Sequence, residues 1–293
     1  MTEVTDVNDV NGVNDVVGAM APSQARVAVV GCGLMGTSVA MALQQAGCTV
    51  FLDDLHRAHQ EAARQRSGGA VWAGEQVDLV VVATTPDAVV DAVLAAHESC
   101  PSAALTDVAS VKAAIVEQVA AGPAGHRFVG GHPMAGSAAS GPEHAQPDLF
   151  HGRPWILTPH AETDADAVAW ATAAARWCGA RVETLDPQRH DAVVARVSHA
   201  VQVLASAAAA GLLALDPAEA ALSGPALREV TRVAASDAGM WRDILTANSG
   251  PVSAVLTELA ASLSSVARLL ETGDAAAVEA FLRSGNAGRR LVD

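Results

Sequence analysis

Residues 27–36 read VAVVGCGLMG, a β-branched run followed at once by three glycines. Gly31, Gly33 and Gly36 form the GxGxxG pattern between a predicted strand and a helix predicted over residues 34–46. The first glycine permits a tight turn, the second lets a pyrophosphate approach the backbone, and the third lets the helix pack on the sheet. Free N–H groups at the helix N-terminus then favour an anion. The stretch predicts a dinucleotide-binding unit rather than a glycine turn without a ligand.

The second predicted strand ends in Asp53 and Asp54, about 20 residues after the first glycine. A carboxylate there can accept the ribose hydroxyls of NAD and would repel the 2′-phosphate of NADP. NAD is therefore the expected cofactor, although Arg57 lies nearby and could pair with a phosphate instead. The expected cofactor contacts are Gly31, Gly33, Leu34, Met35, Gly36, Asp53, Asp54, Thr84 and Thr85.

The chain divides into an α/β part and a helical part. Apolar strand-like runs alternate with helical stretches as far as Leu185, whereas the chain beyond is rich in Ala and Leu with helical spacing. Asp186 is a good N-cap and Pro187 suits a first helical turn. We predict an α/β fold with a Rossmann-type, mostly parallel sheet over residues 26–185, followed by an all-α domain over residues 186–293, to which the family resemblance described below assigns dimerisation and substrate binding. The strands are expected at residues 27–30, 49–52, 79–83, 104–106, 128–131, 155–157 and 182–185.

Composition limits the partners of the protein. The 293 residues carry 18 Lys and Arg against 32 Asp and Glu, a formal net charge of −14. Such a surface repels nucleic acid, and no run of basic residues offsets it. The four cysteines are widely spaced and form neither a CxxC pair nor a zinc-ligand pattern. We therefore expect reduced thiols in a cytoplasmic protein, no metal site, and no nucleic-acid partner.

No membrane partner is expected either. Residues 1–25 begin with an acidic, repetitive stretch without the basic start of a signal peptide, and they are predicted to form a disordered tail. The longest apolar stretch, residues 200–215, is short for a membrane span and contains Gln202 and Ser206. The apolar helices of the C-terminal half are expected to bury a large surface in a homodimer instead.

Candidate chemical residues follow two of the predicted strands. Ser110 lies in TDVASVK at residues 106–112, and His132 begins HPMAGS at residues 132–137. In an open α/β sheet, residues just beyond the strand C-termini line the ligand crevice. From position alone, His132 is as consistent with a catalytic base as with a residue that caps a turn.

The first helix of the C-terminal half carries two histidines. His190 and His199 are nine residues apart, about 2.5 turns, so on a straight helix they face opposite sides. They then cannot both serve one site, and His190 is interpreted as structural. Gln202 lies about one turn after His199, on roughly the same face.

Three arginines lie close together in this acidic chain: Arg228, Arg232 and Arg242. Arginine binds carboxylates in a bidentate manner, so one interpretation is a site for a substrate carboxylate. The alternative is pairing with acidic neighbours such as Glu229 and Asp243, which suits Arg228 and Arg242 best.

Six segments, in this order, resemble the prephenate/arogenate dehydrogenase family, the cyclohexadienyl dehydrogenases. They lie between Val27 and about Asn248 and read GCGLMGTS, TDVASVK, GGHPMAGS, LFHGRPWILTP, HDAVVARVSHAVQVLA and TRVAASDAGMWRDIL. The resemblance implies a Rossmann-type domain that binds NAD and an intertwined helical dimerisation domain. It also implies oxidative decarboxylation of prephenate or arogenate to a 4-hydroxyphenyl product in tyrosine biosynthesis.

The resemblance assigns roles to the matching residues. His132 would accept the proton of the ring 4-hydroxyl, and Ser110 would hydrogen-bond that hydroxyl and help orient His132. His199 would lie beside the nicotinamide and the substrate, and Arg232 would hold a substrate carboxylate. Trp241 would also contribute to the substrate site.

Three positions depart from the family pattern. Ala138 stands where an acidic residue commonly follows Ser137, Gln202 lies in a segment that often reads Leu-Pro-His, and Glu229 replaces a common aspartate. These positions are expected to surround the side chain of the substrate. Ser137 and Gln202 are therefore expected substrate contacts, and the form of the substrate side chain is left open.

Three alternative interpretations share parts of this sequence pattern. A close rival substrate is 4-amino-4-deoxyprephenate, used in making natural products derived from aminophenylalanine. A β-hydroxyacid dehydrogenase would need a catalytic lysine in the second domain, and no lysine follows Leu185. A non-catalytic, NAD-sensing protein is disfavoured by the presence of His132, Ser110 and Arg232.

Overall fold

The structure is a computed structural model that describes residues 13–136 and 139–292. Within these residues, eight strands form one sheet in the order β3-β2-β1-β4-β5-β6-β7-β8. All neighbours pair in parallel except β6 and β7, which are antiparallel, so the predicted mostly parallel sheet is confirmed. The strands are β1 (Arg26–Val30), β2 (Thr49–Asp53), β3 (Ala70–Val71), β4 (Leu79–Val82), β5 (Ala104–Asp107), β6 (Phe128–Pro133), β7 (Pro154–Thr158) and β8 (Arg181–Thr184).

Strand β4 is buried and apolar along its whole length, and β1 is apolar after Arg26, because both faces of the sheet are covered. Val27 and Val29 of β1 join the hydrophobic core on one face, and Ala28 between them joins the core on the other. The direction of strand order reverses between β1 and β4, and the glycine loop follows β1 at this switch point. In open α/β sheets the ligand crevice lies at such a point.

Helices flank the sheet and then form the C-terminal part of the chain. Gly47 ends α2 in the left-handed conformation, and the Asp186 side chain caps α7 by accepting from the backbone N–H of Arg189. The helices against the sheet are α2 (Leu34–Ala46), α3 (Arg57–Ser67), α4 (Val89–Ser99), α5 (Ala113–Ala120) and α6 (Ala165–Trp177). The later helices are α7 (Pro187–Val194), α8 (Ala200–Gly211), α9 (Pro217–Ala220), α10 (Pro225–Thr231), α11 (Ala238–Ala247), α12 (Ser249–Thr272) and α13 (Ala275–Arg289).

The N-terminal segment differs from the prediction. Residues 1–12 lie outside the described residues, but α1 (Val13–Ala19) is a helix that packs on α6. Val17 is buried in a small cluster with Ala169 and Ala173 of α6. The prediction of a disordered tail through residue 25 is therefore wrong from residue 13 onward. Val13 and Val17 are spaced one helical turn apart within a polar repeat, and their contact with α6 forms only in the tertiary structure.

Two helical stretches of the C-terminal part are long and apolar enough to cross a membrane, residues 187–214 (28 residues) and 249–272 (24 residues). The apolar helix is thus longer than the stretch 200–215 that the sequence suggested. Length and composition alone are weak evidence, since the core helix of a soluble protein meets the same criteria. Within the described residues, 22% of the apolar window in the first stretch and 11% of that in the second is buried, and the first stretch carries the buried side chains of His190 and His199.

Candidate active site

The glycine loop between β1 and α2 has the shape of a phosphate cradle. Gly31 has a φ of +95°, and a Cβ added there would lie 2.6 Å from the carbonyl oxygen of Ala83. A Cβ on Gly36 would lie 1.8 Å from the carbonyl oxygen of Gly31, so only glycine allows the helix so close to the strand. An added Cβ on Gly33 has no neighbouring atom within 4 Å, which leaves open space at the start of α2. The residues present fit a bound pyrophosphate.

The acidic residues after β2 are tied to this loop. The Asp54 carboxylate accepts hydrogen bonds from the backbone N–H groups of Cys32 (2.6 Å) and His56 (2.6 Å). The backbone N–H of Gly31 donates to the carbonyl oxygen of Asp53 at 2.8 Å. The Asp54 carboxylate therefore lies beside the cradle, and the Asp53 backbone is hydrogen-bonded to it. The other expected cofactor contacts lie at Leu34 and Met35, in the first turn of α2, and at Thr84 and Thr85, which follow β4.

His132 lies near the C-terminal end of β6 and is 8% exposed. Its Nδ1 lies 2.8 Å from Nε2 of His190. Burial is the main cause that lowers the pKa of His132 well below its usual 6.5, and electrostatic repulsion of a proton on His132 by the neighbouring His190, Lys112 and His199 lowers it further. The His132 imidazole is therefore neutral near pH 7, as a proton acceptor must be.

His190 is fully buried and connects His132 to a carboxylate. Its Nδ1 lies 2.8 Å from Oδ1 of Asp191. Asp191 also accepts from the backbone N–H groups of Lys112 (2.8 Å) and Ala113 (2.9 Å), at the start of α5. Burial raises the pKa of Asp191, but the hydrogen bonds from His190 and the two backbone groups outweigh it and lower the pKa below 3.8. Asp191 is therefore ionised.

The prediction that His190 and His199 face opposite sides is wrong, because the helix is not regular. A π turn (Ala195–His199) lies between α7 and α8. Such a turn takes up one extra residue, so nine positions rotate the chain by about 800° rather than about 900°, which leaves the two side chains roughly 80° apart. They are close enough that electrostatic coupling to His190 lowers the pKa of His199.

His199 is 1% exposed and is held by Asn248. The Asn248 side-chain nitrogen donates to the backbone carbonyl of Asp191 at 2.9 Å, which can only accept, and the same nitrogen lies 3.0 Å from Nδ1 of His199. Nδ1 of His199 is therefore an acceptor, and the neutral ring carries its proton on Nε2. Burial is the main cause that lowers the pKa of His199 to about 4. The ring of Trp241 lies edge-on, with ring centroids 6.0 Å apart.

A buried ion pair lies beside the histidines. The Lys112 ammonium contacts the Asp107 carboxylate, and both side chains have 0% exposure. Asp107 also accepts from the backbone N–H groups of Ala109 (2.9 Å) and Gly131 (2.9 Å). Burial lowers the pKa of Lys112, while Asp107 opposes that shift. Because Gly131 directly precedes His132, the pair anchors the turn after β5 next to the candidate base.

The remaining predicted residues lie at the edges of this cluster. Ser110 is half-buried in the turn after β5, and Gln202 is buried, with no partner for its Oε1 among the described residues. Arg232 is exposed in a short 3-10 turn (Arg232–Ala235) that packs against α8. Ser137 and Ala138 lie outside the described residues.

The arginines divide as follows. Arg242 pairs with Asp243 at 2.7 Å, which confirms the interpretation of Arg242 as a residue paired within the protein. Neither Arg228 nor Arg232 has an ion pair within residues 13–136 and 139–292, and both are exposed. Their guanidinium groups remain available for an anionic ligand.

Sequence reasoning missed the roles of four residues around His132 and His199: Lys112, His190, Asp191 and Asn248. Lys112 closes the segment TDVASVK, and His190 and Asp191 open the segment HDAVVARVSHAVQVLA, so each lay within a quoted motif. Asn248 had no pattern around it. The available signal was the adjacent ionisable pair His190 and Asp191 next to the apolar residues 192–195, because such groups are buried only when they are paired.

A phosphate cradle at the switch point of a parallel sheet, with a buried neutral histidine at the end of a nearby strand, defines the architecture of a nucleotide-dependent dehydrogenase. Two family models match the chain. The model of the prephenate dehydrogenase nucleotide-binding domain matches residues 39–184, and the model of the prephenate dehydrogenase dimerization domain matches residues 186–284. The chain belongs to the prephenate dehydrogenase family.

Individual relatives agree with this assignment. The chain is 36% identical over 225 residues to a probable prephenate dehydrogenase, NovF, of Streptomyces niveus, which covers 75% of this chain and 62% of that protein. It is 30% identical over 237 residues to a cyclohexadienyl dehydrogenase of Zymomonas mobilis, with 76% and 80% covered. A crystal structure of prephenate dehydrogenase from A. aeolicus, in complex with hydroxyphenyl propionate and NAD+, superposes with a TM-score of 0.83 at 27% identity, covering 92% of this chain and 98% of that one.

Proposed function

We propose that the protein catalyses the NAD-dependent oxidative decarboxylation of prephenate or arogenate to the corresponding 4-hydroxyphenyl product. The observation that carries the proposal is the neutral, buried His132 at the end of β6, on the same sheet as the phosphate cradle. A base with a depressed pKa at the same edge of the sheet as a dinucleotide site suits the removal of a hydroxyl proton during hydride transfer.

His132 accepts the proton of the ring 4-hydroxyl while the hydride leaves the same ring carbon. NAD, when bound at the glycine loop, supplies the hydride acceptor. The carboxylate of the quaternary ring carbon then leaves as carbon dioxide, and the electron pair of the broken C–C bond enters the ring. The ring oxygen takes the proton back from His132, so the product is a phenol and no net proton is released.

Other side chains orient the substrate. Ser110, half-buried after β5, hydrogen-bonds the reacting hydroxyl and helps to orient His132. His199 presents an N–H donor from Nε2 and lies beside the nicotinamide and the substrate. Arg232 holds a substrate carboxylate in a protein of net charge −14, where a local cation is needed to offset the repulsive background.

Two further groups complete the proposed substrate site. The unpartnered Oε1 of Gln202 supports a contact with a substrate donor, since a buried acceptor without a partner is costly. The indole Nε1 of Trp241 is likewise buried without a partner among the described residues, and we assign it to the same site. Ser137 remains a proposed substrate contact on the strength of the motif alone.

The functional protein is proposed to be a cytoplasmic homodimer built on the helical half. The matching family model is that of a dimerization domain, and the C-terminal helices expose large apolar side chains such as Leu213, Leu263 and Leu270. A groove of about 420 Å³ between α8 and α12 is lined by Val203, Leu256 and other mostly apolar residues. Exposed apolar area of this extent favours association. Four buried, unpaired cysteines suit a reducing compartment.

Turnover measurements test the proposed activity. Wild-type protein and NAD are mixed in parallel with prephenate, arogenate and 4-amino-4-deoxyprephenate, and NADH absorbance is followed. His132→Asn should lower kcat by roughly 10²–10⁴-fold, the usual contribution of a positioned base, with unchanged NAD affinity. His160→Gln is the matched control, because His160 hydrogen-bonds the carbonyl of Gly125 and no residue of the site. Absence of NADH with both prephenate and arogenate, or a normal kcat for His132→Asn, would contradict the proposal.

A further inference from the structure

We infer that His190 and Asp191 form a buried positioning pair that fixes the tautomer of His132 and stabilises its protonated form. The inference rests on the proposed role of His132 as a base. It concerns the chain of contacts His132 Nδ1–His190 Nε2 (2.8 Å) and His190 Nδ1–Asp191 Oδ1 (2.8 Å), in which His190 is fully buried.

The donor and acceptor of each hydrogen bond in this series follow from Asp191, the residue at the end away from His132. Asp191 accepts from the backbone N–H groups of Lys112 and Ala113, so both of its oxygens are acceptors. His190 must then donate from Nδ1 to Asp191. A neutral imidazole with its proton on Nδ1 has a lone pair on Nε2, so His190 accepts at Nε2 from Nδ1 of His132. The lone pair of His132 is left on Nε2, the nitrogen that does not face His190.

The same chain stabilises the charge that forms during the reaction. When His132 takes a proton at Nε2, its Nδ1–H donates to His190, and His190 donates to the ionised Asp191. A carboxylate two hydrogen bonds away therefore offsets the imidazolium charge in an interior that otherwise disfavours it. The bound proton has no onward path in this chain, because both oxygens of Asp191 are occupied by donors. It stays at His132, available to return to the ring oxygen.

The contacts His132–His190–Asp191 also span the junction between the two halves of the protein. His132 belongs to β6 of the sheet, whereas His190 and Asp191 belong to α7 of the helical part. Asp191 is bound on one side by backbone of the α5 turn, and its carbonyl accepts from Asn248 on the other. The imidazole of His132 is therefore oriented by contacts that neither half of the chain can make alone.

Two substitutions of His190 separate positioning from mere packing. His190→Gln retains a side-chain oxygen that can accept from Nδ1 of His132, whereas His190→Leu fills similar space with no acceptor. We expect His190→Leu to lower kcat by roughly 10²-fold or more, within the range for loss of a positioned base, and His190→Gln to stay within about 10-fold of wild type. His160→Leu and His160→Gln serve as matched controls and should leave kcat unchanged.

Nitrogen NMR of the imidazoles tests the tautomer without any substrate. In the wild-type protein at pH 7.5, we expect the proton of His132 on Nδ1 and an unprotonated Nε2. His190→Gln should retain this state, and His190→Leu should shift His132 toward the other tautomer. A wild-type His132 protonated on Nε2 would overturn the inference, as would equal kcat values for the Leu and Gln variants. If the NMR result holds but none of the three cyclohexadienyl substrates is oxidised, the proposed activity fails while the positioning pair stands. If His190→Leu does not fold, the wild-type and His190→Gln spectra still decide the tautomer.

Discussion

Removing the cation of the buried Lys112–Asp107 pair is the sharpest test of the packing around the site. Lys112→Met deletes the ammonium and leaves the Asp107 carboxylate, with 0% exposure, bound among the described residues by the backbone N–H groups of Ala109 and Gly131. Breaking a buried pair on one side typically costs about 3–5 kcal/mol, because one charge remains uncompensated. The two backbone donors retain part of the stabilisation of Asp107, so the lower end, about 3 kcal/mol, is expected. At roughly 2–4 °C per kcal/mol for a protein of this size, Tm should fall by about 6–12 °C.

Urea denaturation followed by circular dichroism measures this loss, and thermal melts provide Tm. Lys112→Met combined with Asp107→Asn should be more stable than Lys112→Met alone, since the second change removes the stranded charge. Arg196→Met is the matched control, because the Arg196–Glu258 pair is exposed and should contribute little. A loss below about 1 kcal/mol for Lys112→Met, or no recovery in the double variant, would refute the reasoning.

Three further predictions concern binding, pH and the cofactor. Arg232→Ala should raise KM by about 10–150-fold with Tm unchanged, because a hydrogen bond to a charged group is lost. Arg242→Ala is the control and should leave KM nearly unaltered. Equal KM effects of the two substitutions in steady-state assays would contradict the prediction. In the folded protein His199 stays neutral below its usual pKa of 6.5, so between pH 6.5 and 4 a proton binds preferentially to the unfolded chain. The free energy of unfolding should therefore decline as pH falls from 6.5 towards the folded pKa of about 4, by up to about 3 kcal/mol. His199→Gln should make that decline shallower in urea titrations between pH 7.5 and 4.5, and identical slopes would argue against the assignment. The carboxylates of Asp53 and Asp54 should give a higher kcat/KM with NAD than with NADP, and equal use of both would direct attention to Arg57 as a phosphate ligand.

Much of the nucleotide half could be predicted from local sequence. Gly31 and Gly36 lie where a tight turn and close backbone contacts leave no room for a side chain. These requirements arise within one short segment, so the sequence of residues 31–36 displays them. Most of the predicted strands were found because buried strands of such a sheet are apolar runs, whereas the edge strand β8 (Arg181–Thr184) is exposed or half-buried and carries only Val182 of that signal. The two-residue strand β3 was missed, since Ala70–Val71 is too short to form such a run.

The chemical centre was only partly predictable. Positions just beyond strand ends pointed to Ser110 and His132, because parallel strands bring their carboxyl ends to one edge of the sheet. The family resemblance then supplied roles for His199 and Arg232. The direction in which an imidazole donates, however, depends on its partners, and no spacing in the sequence records those partners.

What only the tertiary structure decided is the set of contacts made across the junction between sheet and helices. A single extra residue in the π turn at Ala195–His199 brings His190 and His199 towards the same side, and a regular helical period cannot anticipate it. Asn248 reaches His199 from 49 residues away, and His132 meets His190 from 58 residues away. Local sequence determines turns, strands and helix ends because those depend on neighbouring dihedral angles. The partners of a buried charge or imidazole depend instead on how finished elements pack, and that packing decides which groups lie within hydrogen-bond distance at the site.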